Sequence, residues 1–252
     1  MRPICFYFLI SLFVPVCLVA QDPVATALRI PSWPETGRAN EGIGWSAFSR
    51  QYYCISNWNA TGLSASYFTH RGQSTVVLCR DGIPRFSWYH LYLSHFRQFK
   101  ALNAMLQLRF SLINLNDQPP VFRLGGNILT TWSVSQTTKL QVRICDFPGW
   151  ILPSAVVARG DPLMDFLFFH EPDTRFGLAA GFSMSRALFG PVTTGIRMKI
   201  TDQLSLLSFL DVMPLGVSVG ISWKINGYVV GGWLGHRSGL GLTPFMEVGG
   251  NY

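Results

Sequence analysis

The densest run of potential ligands in the sequence is His170-Glu171-Pro172-Asp173, where three proton- or metal-binding side chains fall within four residues. A catalytic centre needs a converging nucleophile, base and oxyanion donor, or ligands at a matching spacing elsewhere. No second cluster accompanies this run, and Pro172 denies it helical presentation, so it reads as a solvated turn. His90 and His95 are five apart in a strand-like stretch. That spacing puts them on opposite faces, where they cannot chelate together. Gly231-Gly232 and Gly239–Gly241 lack the Lys-Ser or Lys-Thr partner of a phosphate loop. Asn59-Ala60-Thr61 is a glycosylation sequon that matters only in a eukaryote. No catalytic, cofactor-binding or metal site is expected, and the chain reads as non-enzymatic.

The cysteines point the same way. Cys5 and Cys17 fall in the N-terminal apolar run, leaving Cys54, Cys79 and Cys145. Three thiols make no disulfide framework, and without a CxxC pair there is no zinc or redox motif. Isolated thiols buried as small hydrophobes are expected instead.

Residues 1–20 combine Arg2, an apolar run from Ile4 to Ala20 and a small residue before Gln21-Asp22-Pro23. This is the layout of a cleavable secretory signal. Pro15 interrupts a run already short for a spanning helix. Without the signal, roughly 230 residues remain, a length at which all-β barrels commonly stand as one domain. Charged residues make up 13% of the sequence, against about 25% in an ordinary soluble domain. The formal charge of +7 loses one unit with Arg2, and the remaining cations are scattered from Arg29 to Arg237, not gathered into the basic stripe of a nucleic-acid binder. Nucleic acid is excluded as a partner.

The elements that must position these residues are strands. Leu106, Leu108, Phe110 and Leu112 alternate with Gln107, Arg109 and Ser111, and Phe176 through Ser185 alternate apolar residues with Gly, Ala and Ser. Val217, Val219, Ile221 and Trp223 likewise alternate with Ser218, Gly220, Ser222 and Lys224. Period two is the signature of a sheet with unlike faces. Turn signals stand between such windows at Asp81-Gly82, Gly190-Pro191, Thr201-Asp202 and Asn226-Gly227, the last suited to a tight hairpin. The pattern predicts strands over Leu63–His70, Ser74–Arg80, Arg85–Leu93, Met105–Asn114, Phe122–Val134, Lys139–Phe147, Leu163–His170, Arg175–Ser185, Thr193–Thr201, Ser205–Met213, Leu215–Ile225, Tyr228–His236 and Leu242–Tyr252. The segment Ala39 to Ser56 is expected to coil or form a short plug-like element.

A β-protein in hydrocarbon must close on itself, since unpaired backbone groups cost several kcal/mol each. The windows have the length and apolar-out, polar-in alternation of transmembrane strands. Low charge, and aromatics at 14% of residues, fit that setting. Trp88, Tyr89, Tyr92, Trp223, Tyr228, Trp233 and Tyr252 lie near strand ends, where an interfacial girdle is expected. The chain stops at Tyr252 after an alternating run, resembling the terminal strand that closes bacterial outer-membrane barrels. The fold class expected is all-β: a closed antiparallel up-and-down transmembrane barrel of about 10–14 strands. Its domains would be a signal at 1–20, an N-terminal extension or plug-like segment at 21–56, and the barrel at 57–252.

Asn57-Trp-Asn-Ala-Thr-Gly-Leu63 resembles the N-x-A-G-L segment near the start of PorV/PorQ-like and long-chain fatty-acid-transporter-like barrels of Bacteroidetes, with an added Thr61 and no proline. The stretches from Thr138, from Pro172 and from Thr201 are similar to later strands and hairpins of that group. The resemblance implies an accessory or scaffold barrel in type IX protein secretion, with protein partners in a secretion or assembly complex. A pore for small hydrophobic solutes is its alternative. A soluble secreted β-sheet binder, its apolar face turned inward, is the reading from another class. Outer-membrane lipid is the expected surrounding and the bacterial outer membrane the expected location.

Overall fold

The computed structural model describes residues 41–55, 58–70, 72–83, 85–115, 118–147, 163–185, 189–212, 215–238 and 240–251. The signal at 1–20, most of the extension expected at 21–56, and Tyr252 lie outside them.

Alternation along the chain becomes fourteen strands: β1 (Gly42–Gln51), β2 (Asn59–Thr69), β3 (Gly72–Ile83), β4 (Phe86–Phe99), β5 (Leu102–Leu115), β6 (Gln118–Ser133), β7 (Thr138–Cys145), β8 (Leu163–His170), β9 (Phe176–Ser185), β10 (Phe189–Lys199), β11 (Leu204–Val212), β12 (Leu215–Ile225), β13 (Tyr228–Arg237) and β14 (Gly241–Asn251). Each pairs antiparallel with the next, and β1 pairs with β14, so the sheet closes. Closure leaves no edge, as a wall in lipid requires. The fold is an all-β antiparallel barrel of fourteen strands, at the upper end of the range expected.

Outward rows are apolar. Leu106, Phe110, Phe182, Val219 and Ile221 are exposed on the outer face, while their neighbours Gln107, Arg109, Ser218 and Ser222 are buried within. This orientation is the reverse of a lipocalin-like protein and does not fit the soluble reading. No helix of the described residues is long and apolar enough to cross a membrane.

Several strand limits differ from expectation by a few residues, and three differences change the reading. The plug-like segment of 21–56 contains β1, whose register with β14 runs from Gly44 opposite Asn251 to Arg50 opposite Phe245; the barrel begins near residue 42, not 57. Gly190-Pro191 lies inside β10 at a register shift between Phe189 and Val192. An irregularity of this kind tolerates the absence of an N–H at proline. Asp81-Gly82 likewise lies inside β3, with Gly82 at φ 121°. Asn226-Gly227 is the tight hairpin expected, at φ 48° and 84°.

Candidate functional site

The lumen collects side chains from inward rows, and around its waist an apolar cluster lies beside buried polar groups, with Arg50 opposite Phe245, His90 opposite Cys79 and Ser218 opposite Phe209. Phe48, Val77, Cys79, Tyr92, Leu167, Phe169, Leu207, Phe209, Trp233 and Phe245 belong to one buried cluster spanning β1, β3, β4, β8, β11, β13 and β14. Rings in this cluster lie against wall positions that have no side chain. A Cβ at Gly62 would overlap the Phe48 ring, one at Gly195 the Phe209 ring, and one at Gly220 the Trp233 indole. Phe209 and Trp233 stack with centroids 6.2 Å apart, and Phe48 and Phe245 at 6.1 Å. The glycines let bulky rings lie along the wall instead of projecting across the bore.

Ionic groups flank this waist toward both ends of the strands. At the end where β1 turns into β2, Arg109 pairs with Asp146 and Arg143 with Asp165, each at 2.6 Å. Asp165 also accepts from Ser183, and Asp211 from Thr193, both at 2.6 Å. At the other end Glu171 bridges Lys139 at 2.8 Å and Arg197 at 2.5 Å. Charges removed from water need such partners.

A short 3-10 turn, Tyr52–Cys54, packs against β14 beside the first of these ends. The Tyr52 hydroxyl donates to Asp81 at 3.0 Å, and its ring lies 5.4 Å from that of Trp58 and beneath the Arg50 guanidinium at 4.6 Å. The Tyr53 N–H donates to Thr243 Oγ1 at 3.1 Å. Burial, with the Asp81 carboxylate beside it, pushes the Tyr52 phenol well above its ordinary range, so it remains a donor. Tyr53 and Cys54 hold φ 52° and 51°, a conformation that costs non-glycine residues about 1 kcal/mol or more.

The ligand-rich run resolves into separate roles. Asp173 accepts from the backbone N–H groups of Arg175 and Phe176, shaping an exposed turn. Glu171 departs from the solvated-turn expectation, because two cations draw it under the rim. His90 faces the lumen and bonds Ser111, whereas His95 faces outward, so the two are separated by the wall as their spacing requires. Among the described residues no group of three His, Cys, Asp or Glu could hold a metal ion. Cys79 and Cys145 are buried thiols, but Cys54 is exposed. The expected girdle divides: Tyr89, Trp223 and Tyr228 face outward, while Trp88, Tyr92 and Trp233 face the lumen.

The fold recurs in solved structures. The Ralstonia pickettii toluene transporter TbuX superposes with a TM-score of 0.67 at 8% identity, over 97% of this chain and 100% of that one. CymD, a monoaromatic hydrocarbon channel, gives 0.63 at 10% identity over 85% and 89%. The Acinetobacter baumannii outer membrane protein Omp33 gives 0.56 at 9% identity over 86% and 100%. The chain is a bacterial outer-membrane β-barrel. No family model and no curated relative matches its sequence. The accessory role implied at Asn57–Leu63 rests on those sequence phrases alone, whereas two of these three barrels are described as carrying or conducting hydrocarbons.

Proposed function

We propose that this barrel passes small apolar solutes, monoaromatic hydrocarbons among them, across the outer membrane through its lumen. The observation that carries the reading is the cluster at the waist, where stacked aromatic rings and aliphatic side chains add an apolar surface to a lumen that is polar throughout in a water-filled porin. Burying a planar apolar solute there is favoured by about 25 cal/mol per Å² removed from water. Offset stacking on Phe209, Trp233, Phe48 or Phe245 adds about 0.5–1.5 kcal/mol. Ions gain nothing comparable, and an apolar waist opposes them by desolvation. The waist is already filled by its own side chains, so passage requires these rings to move. The described strands supply walls and rings only. Residues 1–20, read as a secretory signal, account for delivery.

The test is uptake of radiolabelled toluene by cells whose own hydrocarbon channels are deleted, with and without this chain, alongside single-channel recording in planar bilayers. Faster toluene entry with little ionic conductance is expected. Entry unchanged by the chain, with the barrel folded in the membrane, overturns the reading and returns weight to the accessory-barrel resemblance.

A further inference from the structure

The outer wall carries a groove that the lumen does not explain. Strand pairing sets Ile43, Tyr67, Ser74, His95 and Leu106 side by side across β1 to β5. One outward row further from the rim comes Trp45, Ala65, Val76, Leu93 and Leu108. Ala65 and Ser74 are small among large neighbours. The shortfall opens a mostly apolar groove of about 560 Å³ on the face turned to lipid, a size at which sites hold small molecules, about 300–1,000 Å³.

Polar chemistry sits at its rim. Ser74 Oγ and His95 Nδ1 lie 3.0 Å apart in a wall that is otherwise hydrocarbon-facing. One row nearer the strand ends, Arg97 stands between Gly72 and Ala104, whose size leaves its guanidinium uncovered. Its Cζ rests 5.5 Å from the Phe99 ring. Among the described strand residues, Arg97 and Arg80 are the charged groups on the outward rows, and they stand at opposite ends of the wall. A cation at the margin of hydrocarbon is costly without a counter-charge. Guanidinium and phosphate meet in short bidentate bonds.

We propose that this groove holds one anionic glycerophospholipid of the adjoining leaflet, with its phosphate on Arg97, its glycerol esters beside Ser74 and His95, and an acyl chain over Ala65. The end of the barrel supports that source. Links on the Arg97 side span two to five residues, whereas the other side carries the two longest, seven at 52–58 and seventeen at 146–162, beside five of two or three. Short turns mark the periplasmic side of such barrels, where the leaflet is made of glycerophospholipid.

The full chain, reconstituted in nanodiscs of equal parts phosphatidylglycerol and phosphatidylethanolamine and released into native mass spectrometry, should retain one phosphatidylglycerol. Enrichment of about fivefold is expected, matching about 1 kcal/mol per surface cation. Arg97→Ala and Ser74→Leu, the second filling the groove, should each abolish it, while Arg80→Ala at the opposite end leaves it intact. Heat-modifiable migration identifies folded variants, and if either groove variant fails to fold, Arg97→Gln makes the same comparison. Equal retention of both lipids by the unmodified chain, undiminished retention by Arg97→Ala or Arg97→Gln, or selective recovery of lipid A from native membranes overturns the proposal.

Discussion

Trp233 lies over Gly220 with no space for a Cβ between them. Gly220→Val should therefore push the indole toward the bore and destabilise the barrel by about 1–3 kcal/mol, read as a lower urea midpoint in detergent, and should slow toluene entry. Glu171→Gln leaves Lys139 and Arg197 without their shared carboxylate at the base. A loss of about 3 kcal/mol is expected for an ion pair broken from one side, measured in the same unfolding experiment. The sequence marked the right residues here with partly wrong surroundings. Position near a strand end suggested a girdle for Trp88, Tyr92 and Trp233, yet they share the inward rows of His90 and Gly231. Counting parity from those neighbours would have turned them inward. Glu171 was beyond such reading, because its partners are 32 residues before it and 26 after it in the chain.

At the scale of elements, alternation located strands wherever the two faces differ in polarity. Leu163–His170 and Leu215–Ile225 are found at their expected limits. It failed at β1, where inward Phe48 and outward Ser49 blur the contrast. Phe48 is apolar on the inside because it fills space above Gly62, a tertiary fact invisible to a period-two pattern. Since β1 closes the ring with β14, a chain beginning at residue 52 should show no heat-modifiable band on a gel, whereas a chain beginning at 41 should. Tight turns are more local. Gly227 at φ 84° predicts that Gly227→Ala costs about 1–2 kcal/mol, visible as slower refolding into detergent micelles.

The whole molecule is a sheet turned apolar side outward, and low charge content together with alternation was enough to foresee it. What the sequence could not foresee was the waist. An inward row of Gly, Ser and Arg left open whether side chains or water fill the bore, and Phe209, Leu207 and Phe245 on those rows belong to one buried cluster within it. Val219 is exposed midway along β12. Val219→Arg should destabilise the barrel in a bilayer by about 2–4 kcal/mol and much less in a detergent with a thin hydrophobic belt, a difference read by unfolding in both. Where the rings recline on glycines, the calibre of the passage is written in residues that contribute no atoms beyond the main chain. Adding one methyl group at position 62, 195 or 220 therefore narrows the conduit by displacing a whole aromatic ring, so the gauge of this barrel can be retuned without altering any residue a solute would touch.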